Sequence, residues 1–353
     1  MASESHAGDA LALARSAWGA AARVEGLAPL AGDASSRRYF RVRLAAPAPP
    51  TAVLMAQSGS GLSISSDELS SIVDAPKEMP FLNVQRYLQR SGVLVPDVYA
   101  ASSERGLALL EDVGDTTLWE SAAPPADAPA LYRAAVEGII DLQLAGRGAP
   151  DASCIAFQQT FDERLFRWEL DHFLEFGFGT RPPAAVDLAR LREIFDDVAA
   201  RLAAEPTELA HRDYHSWNLF LQDGRIRVID FQDALGAPAS YDLASLLTDR
   251  MTPTRVAAEL ESNLVDFYCR RWHERSGERR DRAAFRRLYF ETALQRALKV
   301  VGRFHYLEEV KGKQGYVAML PHTLATVRHC LAHLPALGEL HSILARSFPE
   351  LAE

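Results

Sequence analysis

The chain has 353 residues, 48% hydrophobic and 24% charged, enough for one or two sizeable cores without disulfide staples. Its 38 Lys and Arg against 47 Asp and Glu leave a formal charge of −9, the wrong sign for a general nucleic-acid binder. Cys154, Cys269 and Cys330 are isolated, no uncharged apolar run is long enough to span a membrane, and Glu4 and Asp9 stand where a signal peptide would be basic; no membrane partner and a cytoplasmic location are expected.

Residues 9–22 predict a short amphipathic helix with Leu11, Ala14 and Trp18 on one stripe. Two strands follow, Tyr39–Leu44 with alternating apolar and charged residues and Thr51–Met55 as a compact apolar run, joined through the Pro-rich breaker Ala45–Pro50. Ser58–Ser71 holds seven Ser and two Gly in fourteen residues and reads as a surface loop. Helical spacing resumes at Phe81, Val84, Tyr87 and Leu88, and Leu107–Leu110 reads as a buried strand. Beyond Ser121–Pro125 the chain turns helical, with apolar stripes over Leu131–Leu144, Phe161–Phe176 and Leu188–Leu202. One island interrupts them: the strand Ile226–Asp230 after the tight turn Gln222-Asp223-Gly224. Helices then run from Tyr241 to the end. The expected organisation is a β-rich region at 1–115 and a larger helical region at 116–353.

Chemistry concentrates in His211-Arg212-Asp213-Tyr214-His215-Ser216-Trp217-Asn218, with Asp230 twelve residues beyond Asn218. Phosphoryl transfer asks for a carboxylate that receives a hydroxyl proton and for oxygen ligands that hold Mg²⁺ against the phosphates. Asp213 suits the first task. Asn218, five residues on, and Asp230, delivered by the adjacent hairpin, suit the second, because Mg²⁺ prefers hard oxygens to His or Cys. The spacing H-x-D-x-x-x-x-N followed by hydrophobic-Asp-Phe is that of the catalytic and metal loops of protein-kinase-like enzymes.

Those residues, His211–Asn218 with Val228-Ile229-Asp230-Phe231, resemble the aminoglycoside phosphotransferase and choline kinase superfamily. Longer segments extend the likeness: Gly32–Val42, Leu109–Asp115, Asp230-Phe231-Gln232-Asp233-Ala234, Tyr241–Leu247 and Gln295–Gly302. Together they resemble the bacterial anomeric sugar kinases that phosphorylate N-acetylmuramate and N-acetylglucosamine in cell-wall recycling. The resemblance implies an α+β, bilobal, protein-kinase-like fold, with a small β-rich N-terminal nucleotide-binding lobe and a larger, mainly helical C-terminal lobe. It implies ATP and Mg²⁺ as cofactors and a small-molecule hydroxyl, that of an amino sugar, as acceptor. In this superfamily the segment at Glu111, Asp112 and Val113 offers backbone groups to adenine.

Two departures bear on the site. The third strand, Thr51–Met55, carries no Lys to hold phosphates, so a cation must come from elsewhere. Arg37 and Arg38, after Gly32, Ser35 and Ser36, are the candidates, the small residues exposing backbone N–H groups to a phosphate. The second is an insertion, Ala56–Val73, before Asp74-Ala75-Pro76-Lys77-Glu78. For the acceptor, Asp233, Trp217, Arg296 and Lys299 are candidates, the two cations suiting a lactyl carboxylate. Asp242, early in an apolar helix, reads as structural, capping orphan N–H groups; His211 and His215 read as loop-orienting residues. His329 and His333 superficially suggest zinc, but no complementary ligands accompany them. Other acceptors on the same fold (aminoglycosides, choline, homoserine or ketosamines) are alternatives within the class. A nucleotide-binding pseudokinase is the alternative outside it.

Overall fold

Alternation of charged and apolar residues lets a strand bury one face only, and β2 (Arg37–Leu44) does so with Phe40, Val42 and Leu44 inward. In the computed structural model, which describes residues 2–30, 37–57 and 78–352, β2 joins an antiparallel sheet of order β1–β2–β3–β5–β4. The other strands are β1 (Val24–Pro29), β3 (Thr51–Gln57), β4 (Val98–Ser102) and β5 (Leu107–Leu110). Leu54 of β3 lies opposite Phe40 on one side and Leu109 on the other. That cross-strand row is the centre of a core which α1 (Ala2–Trp18) covers with Ala10, Leu13 and Ala14.

The chain partitions into two compact units. One comprises 1–116, 151–158 and 220–234; the other comprises 117–150, 159–219 and 235–353. The first also holds α2 (Pro80–Arg90), with Phe81, Val84, Tyr87 and Leu88 buried as their spacing predicted. Its late segment carries the hairpin of β7 (Leu219–Gln222) and β8 (Arg225–Val228), apart from Leu219, which falls in the other unit. The turn between them places Asp223 at φ 51° and Gly224 at φ 73°, the left-handed pair that a two-residue hairpin needs.

The second unit is mainly helical: α3 (Leu118–Ser121), α4 (Ala128–Gly148), α5 (Glu163–Phe176), α6 (Ala185–Ala203), α7 (Tyr241–Thr248), α8 (Ala258–Ser276), α9 (Arg282–His305), α10 (Leu320–Ala332) and α11 (Gly338–Ser347). A short antiparallel pair, β6 (Thr207–Ala210) with β9 (Leu235–Pro238), lies among them. Cys154, Cys269 and Cys330 are buried free thiols. No helix among the described residues is long and apolar enough to cross a membrane.

Several elements depart from their sequence outlines. The first helix runs Ala2–Trp18 rather than 9–22, ending where Gly19 turns left-handed at φ 87°; Leu13 rather than Leu11 joins Ala14 on its buried face. The expected strand Ile226–Asp230 closes at Val228, because Asp230 adopts φ 63°. The helix expected from Phe161 begins at Glu163, where the Asp162 carboxylate accepts from the Leu165 N–H at 2.9 Å.

Helices α5 and α9 approach at backbone distance. A Cβ on Gly302 would lie 2.9 Å from both the His172 carbonyl oxygen and Phe173 Cα. Gly302→Ala is therefore expected to cost about 1–3 kcal/mol through overpacking, read as a lowered urea midpoint; an unchanged midpoint would show that the two helices can part freely.

Candidate active site

The loop His211–Asn218 leaves β6 immediately after the buried Ala210 and is tied at its first residues by one carboxylate. Asp242, fully buried near the start of α7, accepts the backbone N–H of His211 at 2.7 Å and of Arg212 at 2.9 Å. The sequence suggested that this Asp capped its own helix; instead it reaches back 30 residues to hold the loop. Burial raises its pKa, against the pull of His211 and of those two N–H donors. Between the two donors and Asp213 the chain bends sharply, with Arg212 at φ 79°. A non-glycine residue there carries a strain of order 1–3 kcal/mol that the surrounding bonds must over-determine.

Arg296 of α9 braces the same bend. Its guanidinium donates to the Arg212 carbonyl at 2.9 Å and to Ser245 Oγ at 2.8 Å, lies over the Tyr241 ring at 4.6 Å, and comes within 3.8 Å of Asp213 Oδ1. Glu169, completely buried on α5, gathers Lys299 Nζ at 2.7 Å, Gln295 Nε2 at 2.9 Å and Arg212 at 3.3 Å. A buried carboxylate with three donors is compensated, whereas an unpaired one would be costly. The Asp213 side chain remains 40% exposed. Partial burial opposes its ionisation, but Lys299, Arg212, Arg296 and His215 outweigh that and hold its carboxyl well below the usual carboxylate range. Asp213 is a carboxylate at any physiological pH.

Asn218 is oriented from within the loop: its Nδ2 donates to the Asp213 carbonyl at 2.9 Å, which turns Oδ1 the other way. His215, buried, has Nε2 3.4 Å from that amide nitrogen and 4.0 Å from Asp249. Trp217 stacks on Trp119 with ring centroids 4.6 Å apart. Arg255 covers Trp119 at 3.5 Å and Arg250 stands 5.6 Å from the Trp217 ring. Sequence inspection singled out Trp217 but not Trp119, Glu169 or Asp249. Of these only Trp119 carried a visible signal, as an aromatic residue beside the capping box Thr117–Glu120.

In the first unit, Asp230 follows the β7–β8 hairpin and is met by Arg37 of β2. Arg37 Nη2 lies 2.9 Å from Asp230 Oδ1, and Gln232 Nε2 bridges Asp230 Oδ1 at 3.3 Å and Asp233 Oδ2 at 3.0 Å. Arg37 is 5% exposed, and the Asp230 side chain 38%. Arg38 points to solvent. Gly32, Ser35 and Ser36 lie outside the described residues, as do Lys77 and most of the Ser-rich insertion. At Glu111–Val113, the Glu111 N–H already donates to Asp97, its carboxylate pairs with Arg227 at 2.6 Å, and Asp112 pairs with Arg41 at 2.7 Å. The Val113 N–H and C=O have no hydrogen-bond partner among the described residues. His329 and His333 are otherwise engaged: His329 Nε2 bonds Glu261 at 2.6 Å, and His333 stacks on Phe290.

The carboxylate of Asp213 thus stands ionised among fixed cations, on a loop clamped by a buried Asp. The chain belongs to the phosphotransferase enzyme family APH, whose model matches residues 26–288. It is 30% identical over 348 residues to the N-acetylmuramate/N-acetylglucosamine kinase of Caulobacter vibrioides, covering 91% of each chain. The enzyme of the same name from Pseudomonas aeruginosa is 29% identical over 350 residues, covering 95% of this chain and 92% of the relative. The crystal structure of choline kinase from Cryptosporidium parvum covers 98% of this chain and 99% of its own, with a TM-score of 0.62 at 12% identity. That last likeness is one of fold. The protein is thus a small-molecule phosphotransferase of kinase-like fold.

Asp242→Asn keeps one acceptor oxygen but sets an amide NH₂ against a backbone donor. The expected loss is about 1–3 kcal/mol from the unsatisfied N–H, measured by urea denaturation. Wild-type stability would mean that the loop holds its bend without this carboxylate.

Proposed function

We propose that the protein transfers the γ-phosphoryl group of ATP to the anomeric C1 hydroxyl of an N-acetylated hexose of the N-acetylmuramate/N-acetylglucosamine type. The environment of Asp213 carries the reading, and the curated relatives named for those sugars, matched over about nine-tenths of the chain, support the acceptor. Asp213 orients the C1 hydroxyl and accepts its proton as the hydroxyl oxygen bonds the γ-phosphorus and the bond to the ADP oxygen breaks. A carboxylate held this far down is a weak base. An anomeric hydroxyl, more acidic than an ordinary alcohol, and a loose transition state with late proton transfer both suit a weak base.

Taken each by itself, both donors suit a hard divalent cation: at Asn218 an amide oxygen turned away from the nitrogen that bonds the Asp213 carbonyl, and at Asp230 a carboxylate whose Oδ2 makes no hydrogen bond among the described residues. By the motif resemblance, Asn218 and Asp230 would hold Mg²⁺, which supplies charge neutralisation at the phosphates. Arg37 and Arg38, with the loop of Gly32, Ser35 and Ser36, are assigned to the nucleotide phosphates. The backbone groups of Val113, without a partner among the described residues, are assigned to adenine, with Glu111 and Asp112 fixing that segment through their ion pairs. On the acceptor side, Trp217, backed by Trp119, offers an aromatic face to a sugar ring. Asp233, tied to Asp230 through Gln232, adds a second carboxylate charge beside Asp230 and Arg37. Arg296 and Lys299, already engaged by the Arg212 carbonyl and Glu169, serve by setting the charge around Asp213.

Asp213→Asn is expected to lower kcat ~10²–10⁴-fold, the range contributed by positioned general bases, while ATP affinity stays near wild type by calorimetry; wild-type turnover would remove Asp213 from the reaction. For the acceptor, phosphorus NMR of the product from N-acetylglucosamine and N-acetylmuramate should show a phosphate on C1. Their 1-deoxy analogues should give no product. A C6 phosphate, or turnover with aminoglycosides or choline alone, would refute the anomeric assignment.

A further inference from the structure

The Arg37–Asp230 pair joins the first unit's buried cation to the carboxylate assigned to the metal. Strand β3, where kinases of this fold commonly carry a Lys, is Thr51-Ala52-Val53-Leu54-Met55-Ala56-Gln57 and has no charge at all. Glu78, which could pair with such a Lys, is bound instead by Arg86 and by Asn83 Nδ2 at 2.9 Å. Arg37 comes from the neighbouring strand, opposite Gln57 in the β2–β3 register, and spends Nη2 on Asp230 Oδ1. Gln232 adds a second donor to the same oxygen. The carboxylate is thereby oriented, with Oδ1 occupied and Oδ2 making no hydrogen bond among the described residues, and it faces a guanidinium that cannot lose its proton, while Asp233 keeps a second negative charge beside the pair.

We infer that Arg37 is a resident counter-ion of Asp230 which keeps the nucleotide-free protein from taking up a divalent cation, so that the cation enters together with the triphosphate. The inference rests on the reading of Asp230 as a metal ligand. Two like charges sharing one carboxylate repel at a separation of a few ångströms, and at a partly exposed site that repulsion is worth several-fold to about a hundredfold in affinity. A nucleotide brings enough negative charge to reverse the balance, and Arg37 then stands among opposite charges. Metal and nucleotide are therefore positively coupled, reciprocally, through one side chain.

The test is Mn²⁺ binding followed by electron paramagnetic resonance of the free ion, with and without ATP. Arg37→Gln keeps a neutral donor to Asp230 Oδ1, and Arg37→Lys keeps the charge. In Arg37→Gln the nucleotide-free protein should bind Mn²⁺ about tenfold more tightly than wild type, and the enhancement of Mn²⁺ binding by ATP should shrink correspondingly. Arg37→Lys should behave as wild type, and Arg37→Met, which tests the charge without any donor, should follow Arg37→Gln. Unchanged or weaker Mn²⁺ binding in the neutral variants overturns the inference. Asp230→Asn separates the two levels. If it leaves Mn²⁺ binding in the presence of ATP untouched, the metal assignment itself fails. If it abolishes that binding while the neutral Arg37 variants show no gain, only the counter-ion role fails.

Discussion

A single buried carboxylate, Asp242, carries the geometry of the His211–Asn218 loop. It accepts two successive backbone donors, from His211 and Arg212, and so fixes the peptide planes on which a left-handed Arg212 depends. Local sequence would not choose that conformation, since an extended or helical Arg212 is cheaper. Arg296, bonded to the Arg212 carbonyl, closes the bend from the other side. Asn218 then takes its orientation from the Asp213 carbonyl. The loop's geometry is thus a consequence of a helix that begins some thirty residues later.

Charge is managed by the same economy in each unit. In the second, Glu169 gathers Arg212, Lys299 and Gln295 in the interior, leaving the cations close enough to Asp213 to hold it ionised. In the first, Arg37 balances Asp230, with Gln232 tying Asp230 to Asp233. In both places the proposed reactive oxygen group is partly exposed while its cations are largely buried. Buried charges are retained where they are paired and hydrogen-bonded, and such pairing holds a geometry even where its net contribution to stability is small. Asp230 shares with Arg212 a positive φ, so both proposed reactive segments store backbone strain.

Some of this was readable from residue order. Phe40, Val42 and Leu44 alternate with Arg41 and Arg43, and β2 buries the first set. Phe81, Val84, Tyr87 and Leu88 fall at helical spacing and are the buried face of α2. The hairpin turn Asp223-Gly224 is a local steric requirement and was visible as such. Strands β1, β4, β6 and β9 were not. Val24–Pro29 and Val98–Ser102 lack clear alternation, and Thr207–Ala210 pairs with Leu235–Pro238 only because the intervening loop returns. Such pairing depends on partners distant in sequence.

The sequence by itself determined which residues could do chemistry: the H-x-D-x-x-x-x-N spacing, the Asp after a β-hairpin, the missing Lys on the third strand, and the family resemblance those features carry. These are matters of residue type and short-range spacing. Only the tertiary structure decided what each charge is for. Asp242 proved to be a loop clamp rather than a helix cap, Arg296 and Lys299 proved to be engaged by the Arg212 carbonyl and Glu169, and Arg37 was found on Asp230. Hydrogen bonds and ion pairs act over about 3–4 Å, and Arg37 and Asp230 stand 193 residues apart along the chain. No pattern along the sequence encodes their meeting; folding alone brings the partners within that range.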